Sequence, residues 1–181
     1  QAKTINLGLF YGMGKAKLQA ELGVSKDKAN ELFTIYHERV PFVKTLMNSV
    51  SNRAQQRGQI RTLLGRLCRF HLWEPNQFGV HKALPFDQAR QEYGAGIKRA
   101  YTYKALNKLI QGSAADMTKK SMLELYKEGI VAHIQVHDEL DISVEDDKKA
   151  EQIKQIMESA VELEIPNKVD YESGKNWGDI K

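Results

Sequence analysis

The sequence predicts an α+β fold, mostly helical and packed on a small antiparallel sheet. Apolar residues take every even position from Ile130 to Val136 and again from Leu140 to Val144, the period-two signature of two strands. Apolar residues recur at helical spacing in four other stretches, which makes helix the dominant element. Glycine and proline punctuate the chain between these stretches, and there is no internal repeat or low-complexity segment. No apolar run reaches membrane-spanning length and no signal-peptide pattern opens the chain, so nothing points to export or insertion. The single Cys68 excludes an internal disulfide framework and any multi-cysteine zinc site, which suits a reducing compartment.

In chain order, Gln1 to Gly14 is expected to be a helix on which Lys3, Leu7 and Tyr11 share a face. Gly8 and Gly12 cost helix stability, so a close neighbour is expected to need their space. The face has two readings of equal weight: an amphipathic helix with a partly buried tyrosine, or Lys3 and Tyr11 turned toward a ligand. Ser25 is an N-cap candidate for a helix that buries Ala29, Leu32, Phe33 and Tyr36. Pro41 starts the next, ending near Gly58, with Phe42, Val43, Leu46, Met47 and Val50 inward. Ile60–Leu64 and Leu67–Trp73 are expected as short strands turning at Gly65-Arg66. Trp73 to Gly96, broken by Pro75, Gly79, Pro85 and Gly94, is expected as a mobile loop.

Ile97 to Lys127 is the longest helical pattern, burying a stripe that includes Ala100, Leu106, Ala114, Leu123 and Tyr126 and stopping at Gly129. The small residues Gly112-Ser113-Ala114-Ala115 allow another backbone to approach closely. Then comes the hairpin of residues 130–144. If both strands bury the same face, the loop between them must be odd, because a one-residue slip reverses every side chain. A three-residue tip of His137, Asp138 and Glu139 satisfies this. Asp147 is expected to cap a helix running through Ala150, Ile153, Ile156, Met157 and on to Leu163, and Val169 and Tyr171 suggest a last short strand.

The net charge of +4 conceals an asymmetry. Residues 1–115 hold 18 Lys+Arg against 7 Asp+Glu, or +11; residues 116–181 hold 9 against 16, or −7. From Arg39 to Trp73 there are seven basic residues and no acid, and a second acid-free run, Tyr93 to Ala115, carries Lys98, Arg99, Lys104 and Lys108. A single such run is usually a solvated face, but two of them opposite an acidic half favour a phosphate backbone as partner.

Asp138 and Glu139 at a hairpin tip serve one of three ends: ligands for a hard divalent cation, general acid and base, or a polar turn. His137 beside them makes three ionisable groups in succession, more than a turn requires. Magnesium accepts oxygen from one or two carboxylates with phosphates and water, and with basic surface elsewhere this points to metal-assisted phosphoryl chemistry. Zinc fits poorly, since five scattered histidines and one cysteine show no ligand spacing. No phosphate-binding loop of the G-x-x-x-x-G-K-[ST] type and no dinucleotide fingerprint occurs.

Four segments, in order, carry a resemblance. Lys3-Thr4-Ile5-Asn6-Leu7-Gly8-Leu9-Phe10-Tyr11-Gly12-Met13-Gly14 resembles motif B of family A DNA polymerases, the group of bacterial DNA polymerase I and related phage enzymes. Gln111 to Asp116 resembles that family's Q-G-[ST]-A-A-D, and Gln135 to Leu140 resembles its motif C. Ile165-Pro166 through Gly174-Lys175-Asn176-Trp177 is similar to its C-terminus.

The resemblance implies a right-hand polymerase architecture, present in part: a fingers portion over 1–58 and a palm portion over 59–181 that contains the hairpin. It implies template-directed DNA synthesis with two Mg2+ ions, with primer-template DNA, deoxynucleoside triphosphates and the rest of a polymerase chain as partners, in a bacterial cell or phage-infected host and away from membranes. Lys3 is implied at the incoming nucleotide's phosphates, with Leu7 on the same helix and Tyr11 beside the nascent base pair. Asp138 is implied as a metal ligand, Glu139 as its support and His137 near the primer end. Arg66 on its turn, Arg69, Asn107 and Gln111 are implied as DNA contacts. Leu7 departs from the family's usual Phe or Tyr, an aromatic associated with discrimination at the sugar 3′ position. Motif A, with the other metal-binding aspartate, is not found, so the chain is expected to be a fragment inactive by itself. A non-catalytic DNA-binding module or one half of a split polymerase is the alternative. A single-subunit RNA polymerase is disfavoured because that group typically follows H-D with Ser, where this chain has Glu139.

Overall fold

A computed structural model describes residues 2–77 and 82–180. It divides into two compact units, residues 1–110 and 111–181. The first holds α1 (Ala2–Phe10), α2 (Lys15–Leu22), α3 (Lys26–Arg39), α4 (Pro41–Arg57), β1 (Gln59–Arg61), β2 (Leu67–Arg69), β3 (Leu72–Pro75), β4 (Leu84–Pro85), α5 (Phe86–Tyr93) and β5 (Ile97–Arg99). A long helix, α6 (Ala105–Lys127), runs from the first unit into the second, followed by β6 (Ile134–Val136), β7 (Glu139–Asp141) and α7 (Asp147–Ser159). The expected α+β architecture of helices with small antiparallel sheets is what the chain adopts.

Helix α1 ends at Phe10, four residues short of expectation, and Gln1 lies outside the described residues. The stop is a Schellman motif. Met13 N–H bonds the Gly8 carbonyl at 2.8 Å, Gly12 N–H bonds the Leu9 carbonyl at 3.1 Å, and Gly12 takes φ +84°. Gly12 is needed for its φ of +84°, whereas a Cβ at Gly8 would meet the movable end of the Met13 side chain. Helix α2, which the sequence pattern did not reveal, buries only Leu18. One apolar contact in eight residues makes no periodicity. Ser25 caps α3 by accepting from Lys28 N–H at 3.2 Å. Helix α4 begins on Pro41 and stops at left-handed Gly58, burying Val43, Val50 and Ala54. Phe42 is 60 % exposed, against expectation, because it lies beside the stripe traced by those three residues.

Beyond α4 the corrections are larger. The expected strand Leu67–Trp73 is two: β2 pairs with β1 (Gln59↔Arg69, Ile60↔Cys68, Arg61↔Leu67), while β3 joins a separate sheet of order β4-β3-β5. The expected loop from Trp73 to Gly96 instead contains β4 and α5, although 78–81 lie outside the described residues. Its breakers bound elements instead of preventing them: Pro85 precedes α5 and Gly94, at φ +70°, ends it. The expected helix start at Ile97 is also wrong. Residues 97–99 form β5, Tyr101 is left-handed at φ +62°, and α6 begins only at Ala105. The core of this unit is Val50, Ala54, Ile60, Phe70 and Ala105.

In the second unit Leu125, Ile130 and Ile153 form the core, with Leu140, Ile142, Ile156 and Met157 packed on it. The buried stripe of α6 differs from expectation: Leu123 and Tyr126 are 49 % and 68 % exposed and Ala114 is exposed, while Asp116, Thr118 and Ser121 are buried. Ala100, Ala105 and Leu106 are buried as expected, and small polar residues complete the packed face further along the helix. Asp146, not Asp147, caps α7, accepting from Lys149 N–H at 2.7 Å, and the helix ends at Ser159, short of Leu163. No strand forms at 169–171. Glu158 holds that segment instead, accepting from Val169 N–H at 3.1 Å and pairing with Lys168 at 3.3 Å.

Candidate active site

The two carboxylates stand where the hairpin reverses, by a geometry other than the one expected. Strands β6 and β7 pair Ile134↔Asp141, Gln135↔Leu140 and Val136↔Glu139, which leaves two loop residues, His137 and Asp138. An even loop puts Ile134 and Val136 on the face opposite Leu140, so the apolar sets of the two strands do not coincide. Leu140 and Ile142 pack on the core of the second unit, whereas Ile134 and Val136 are 41 % and 38 % exposed. The assumption of one shared buried face is what failed. Two-residue loops need positive φ at their first central position, and His137 supplies it at +53°.

His137, Asp138 and Glu139 are all exposed. The strained tip has a brace that sequence reasoning missed: the Gln135 side chain donates to the His137 carbonyl at 2.6 Å. Gln135 stands in the motif-like segment, but nothing in spacing marks it as a brace. Asp138 and Glu139 also line a cleft of about 620 Å3 within this unit, between α6, β7, α7 and residues 167–172. One wall of that cleft depends on Glu158, whose carboxyl is held below the usual glutamate range by the Val169 N–H. Lys168 reinforces the shift, while desolvation opposes it.

Adjacent exposed carboxylates are hard oxygen donors, which suits magnesium. Among the described residues no group of three or more His, Cys, Asp or Glu is placed to hold a metal ion. Asp138 and Glu139 alone fall short of a full ligand set.

The other predicted residues lie as follows. Lys3 is exposed on α1 and Leu7, one turn on, is 46 % exposed, while Leu9 on the same helix is fully buried. Tyr11 is half-buried just past the helix end, with the Phe10 ring against its edge at 5.4 Å. Arg66 and Arg69 are exposed on the β1–β2 turn and on β2. Asn107 is half-buried on α6, its Oδ1 buried and without a hydrogen-bond partner among the described residues, and Gln111 is exposed one turn later.

The two basic runs separate. Arg39, Lys44, Arg53, Arg57, Arg61, Arg66 and Arg69 are all exposed. Of the second run, Lys98 and Arg99 are half-buried, while Lys104 and Lys108 are exposed. Arg99 donates to the Gln55 and Phe70 carbonyls at 3.2 and 2.9 Å and stacks 4.5 Å from the Trp73 ring centre. Lys98 lies 3.9 Å from buried Glu74, Lys104 over Tyr101 and Lys108 over Phe70. A charge count cannot distinguish an arginine that buttresses a fold from one that faces solvent.

Comparison with known proteins yields a consistent set. The family described as DNA polymerase family A matches residues 1–179. A DNA-directed DNA polymerase of Pseudomonas phage M6 is 33 % identical over 211 aligned residues, covering 98 % of this chain and 29 % of that protein. DNA polymerase I of Bacillus caldotenax is 34 % identical over 190 residues, covering 100 % of this chain and 20 % of the relative. Among solved structures, the POL domain of Pol1 from M. smegmatis, in complex with DNA primer-template and dNTP, aligns with a TM-score of 0.67 and 28 % identity. That alignment covers 91 % of this chain and 28 % of the other. The chain thus spans less than a third of the length of these relatives.

Proposed function

The chain belongs to DNA polymerase family A, and on that premise we propose that its residues serve template-directed DNA synthesis as part of a longer polymerase. The reaction is transfer of a deoxynucleotidyl group to a primer 3′-OH. The observation that carries this reading is the hairpin tip, where Asp138 and Glu139 stand exposed on a braced turn. The family match over nearly the whole chain and the exposed arginines of residues 39–69 support it.

In this reading Asp138 and Glu139 hold Mg2+ through their carboxylate oxygens, and His137 lies near the primer end. Bound metal supplies charge stabilisation to the attacking and leaving oxygens. The second ion of a two-metal site draws on ligands outside these residues. Lys3 brings a cation to the triphosphate, and its exposure on α1 supports that role. Leu7 and Tyr11 bound the nascent base pair and its sugar. Arg66 and Arg69 hold backbone phosphates. Gln111, exposed on α6, and Asn107, one turn before it, hydrogen-bond the primer-template. The remaining task of the protein is positioning and charge neutralisation, which dominates phosphoryl transfer. Residues 1–58 act as a fingers portion and 59–181 as a palm portion. The bacterial and phage relatives support a site of action in the bacterial cytoplasm or an infected host.

The test is Asp138→Asn in the longer polymerase. Primer extension is expected to fall on the order of a thousandfold while primer-template binding is retained; extension at the wild-type rate would refute the assignment. The 181 residues alone are expected not to extend a primer, since their carboxylates make only part of a ligand set.

A further inference from the structure

His37, in the last turn of α3, is a titratable residue that the proposed catalytic roles leave unused. Its Nδ1 is buried and has no hydrogen-bond partner among the described residues. A buried polar atom left without a partner is costly, so the ring is there for its packing. It lies at an edge of Phe33, one turn earlier, with 4.4 Å between ring centres, and 5.4 Å from the ring of Tyr36. Tyr36 in turn reaches across to α1, its hydroxyl 3.5 Å from the Asn6 carbonyl. The imidazole therefore belongs to an aromatic cluster that also touches the helix bearing Lys3, Leu7 and Tyr11.

The charges that face this cluster from neighbouring helices are positive. Lys44 acts on the imidazole from α4, and Lys15 of α2 lies over the Phe33 ring at 5.3 Å. From α1 the neighbour is the uncharged Asn6 carbonyl. On α3 itself Glu38 and Arg39 are exposed, and burial pushes the Tyr36 phenol up, which keeps it neutral. Carbonyls at a helix end ordinarily favour a charged imidazole. Here burial first and Lys44 second outweigh them, and the imidazole is held below the ordinary histidine range. A proton on His37 would add a cation beside Lys44 and a second donor where the buried nitrogen finds no acceptor. The charged ring is stable only outside its seat.

We propose that His37 is a proton-sensitive latch on α1: neutral, it keeps the end of α3 seated with Tyr36 against Asn6, and protonated, it leaves that seat, frees α1 and weakens the hold on the incoming nucleotide. This rests on the reading of α1 as the nucleotide-binding helix of a polymerase, and it adds regulation by pH to that site. The state that takes the proton more readily gains population as pH falls. Seating is thus complete above the ordinary histidine value and is lost as pH falls through it toward the lowered one.

His37→Phe and His37→Gln, neither of which can take the proton, test it in the longer polymerase. As pH falls from about 8 to about 5, the wild-type KM for deoxynucleotide is expected to rise on the order of fivefold more than that of either variant. Over the same range kcat at saturating nucleotide changes alike in all three. Protonation of the nucleotide's own phosphates acts equally on all three and cancels in the comparison. In the 181-residue chain the melting midpoint is expected to fall with acid in wild type and to fall less in both variants. Coincident KM profiles for wild type and variants would overturn the latch, and so would a His37 imidazole resonance that titrates at or above the ordinary histidine range. If melting shows the difference but the longer chain extends no primer at any pH, the polymerase reading fails and the proton-sensitive seat on α3 stands.

Discussion

His137 concentrates the strain of the site in one residue. A non-glycine in left-handed backbone costs about 1–2 kcal/mol, and at +53° the imidazole residue bears that cost at the point where the two carboxylates begin. His137→Gly relieves that strain and is therefore expected to raise stability by up to about 1 kcal/mol, its greater unfolded-chain entropy offsetting the rest, whereas the β-branched His137→Val lowers stability; urea unfolding of the chain reads both. Gly58 is the counterpart in the first unit. Its φ is +68°, and an added Cβ would lie 2.7 Å from Arg99 Cζ. Gly58→Ala combines left-handed strain with loss of the Arg99 seat and is expected to cost at least about 1–2 kcal/mol. A melting midpoint equal to wild type would show that Arg99 moves aside freely.

Among the elements, the segment after α7 depends on one carboxylate. Glu158 is held below the ordinary glutamate range first by the Val169 N–H and then by Lys168. A carboxyl whose folded-state pKa is depressed contributes stability that is complete above its unfolded value and disappears as pH falls through the lowered one. The Val169 amide resonance is thus expected to titrate below the usual glutamate range and to stop titrating in Glu158→Ala. A midpoint at or above that range would remove the anchor. Element boundaries were legible where chemistry is local: the Ser25 cap, Pro41 at a helix start, Gly58 and Gly129 at helix ends. They were not legible where a distant partner chooses. Residues 97–99 carry a helical pattern and become a strand because Trp73, Glu74 and Pro75 offer an edge.

Over the whole molecule, charge divides as the contacts do. Residues 1–110 carry the same +11 and residues 111–181 the same −7 as the two parts of the sequence, since 111–115 are uncharged. Affinity of the chain for primed DNA is expected to fall with salt at a slope of about −0.9 per phosphate neutralised. Arg66→Ala and Arg69→Ala are each expected to flatten that slope by about 1; Arg99→Ala, whose guanidinium is engaged internally, acts on stability instead. A slope indifferent to Arg66 and Arg69 would mean that the DNA track lies elsewhere.

The family, the α+β class and the identity of the candidate residues were determined by sequence, because motif order and side-chain chemistry are properties of the chain itself. The placement of those residues was decided by tertiary structure. The hairpin is the clearest case: alternation announced two strands and a carboxylate tip, yet loop length, strand faces and the Gln135 brace followed from pairing. Period-two patterning says that side chains alternate, but only packing says which side of each strand is covered.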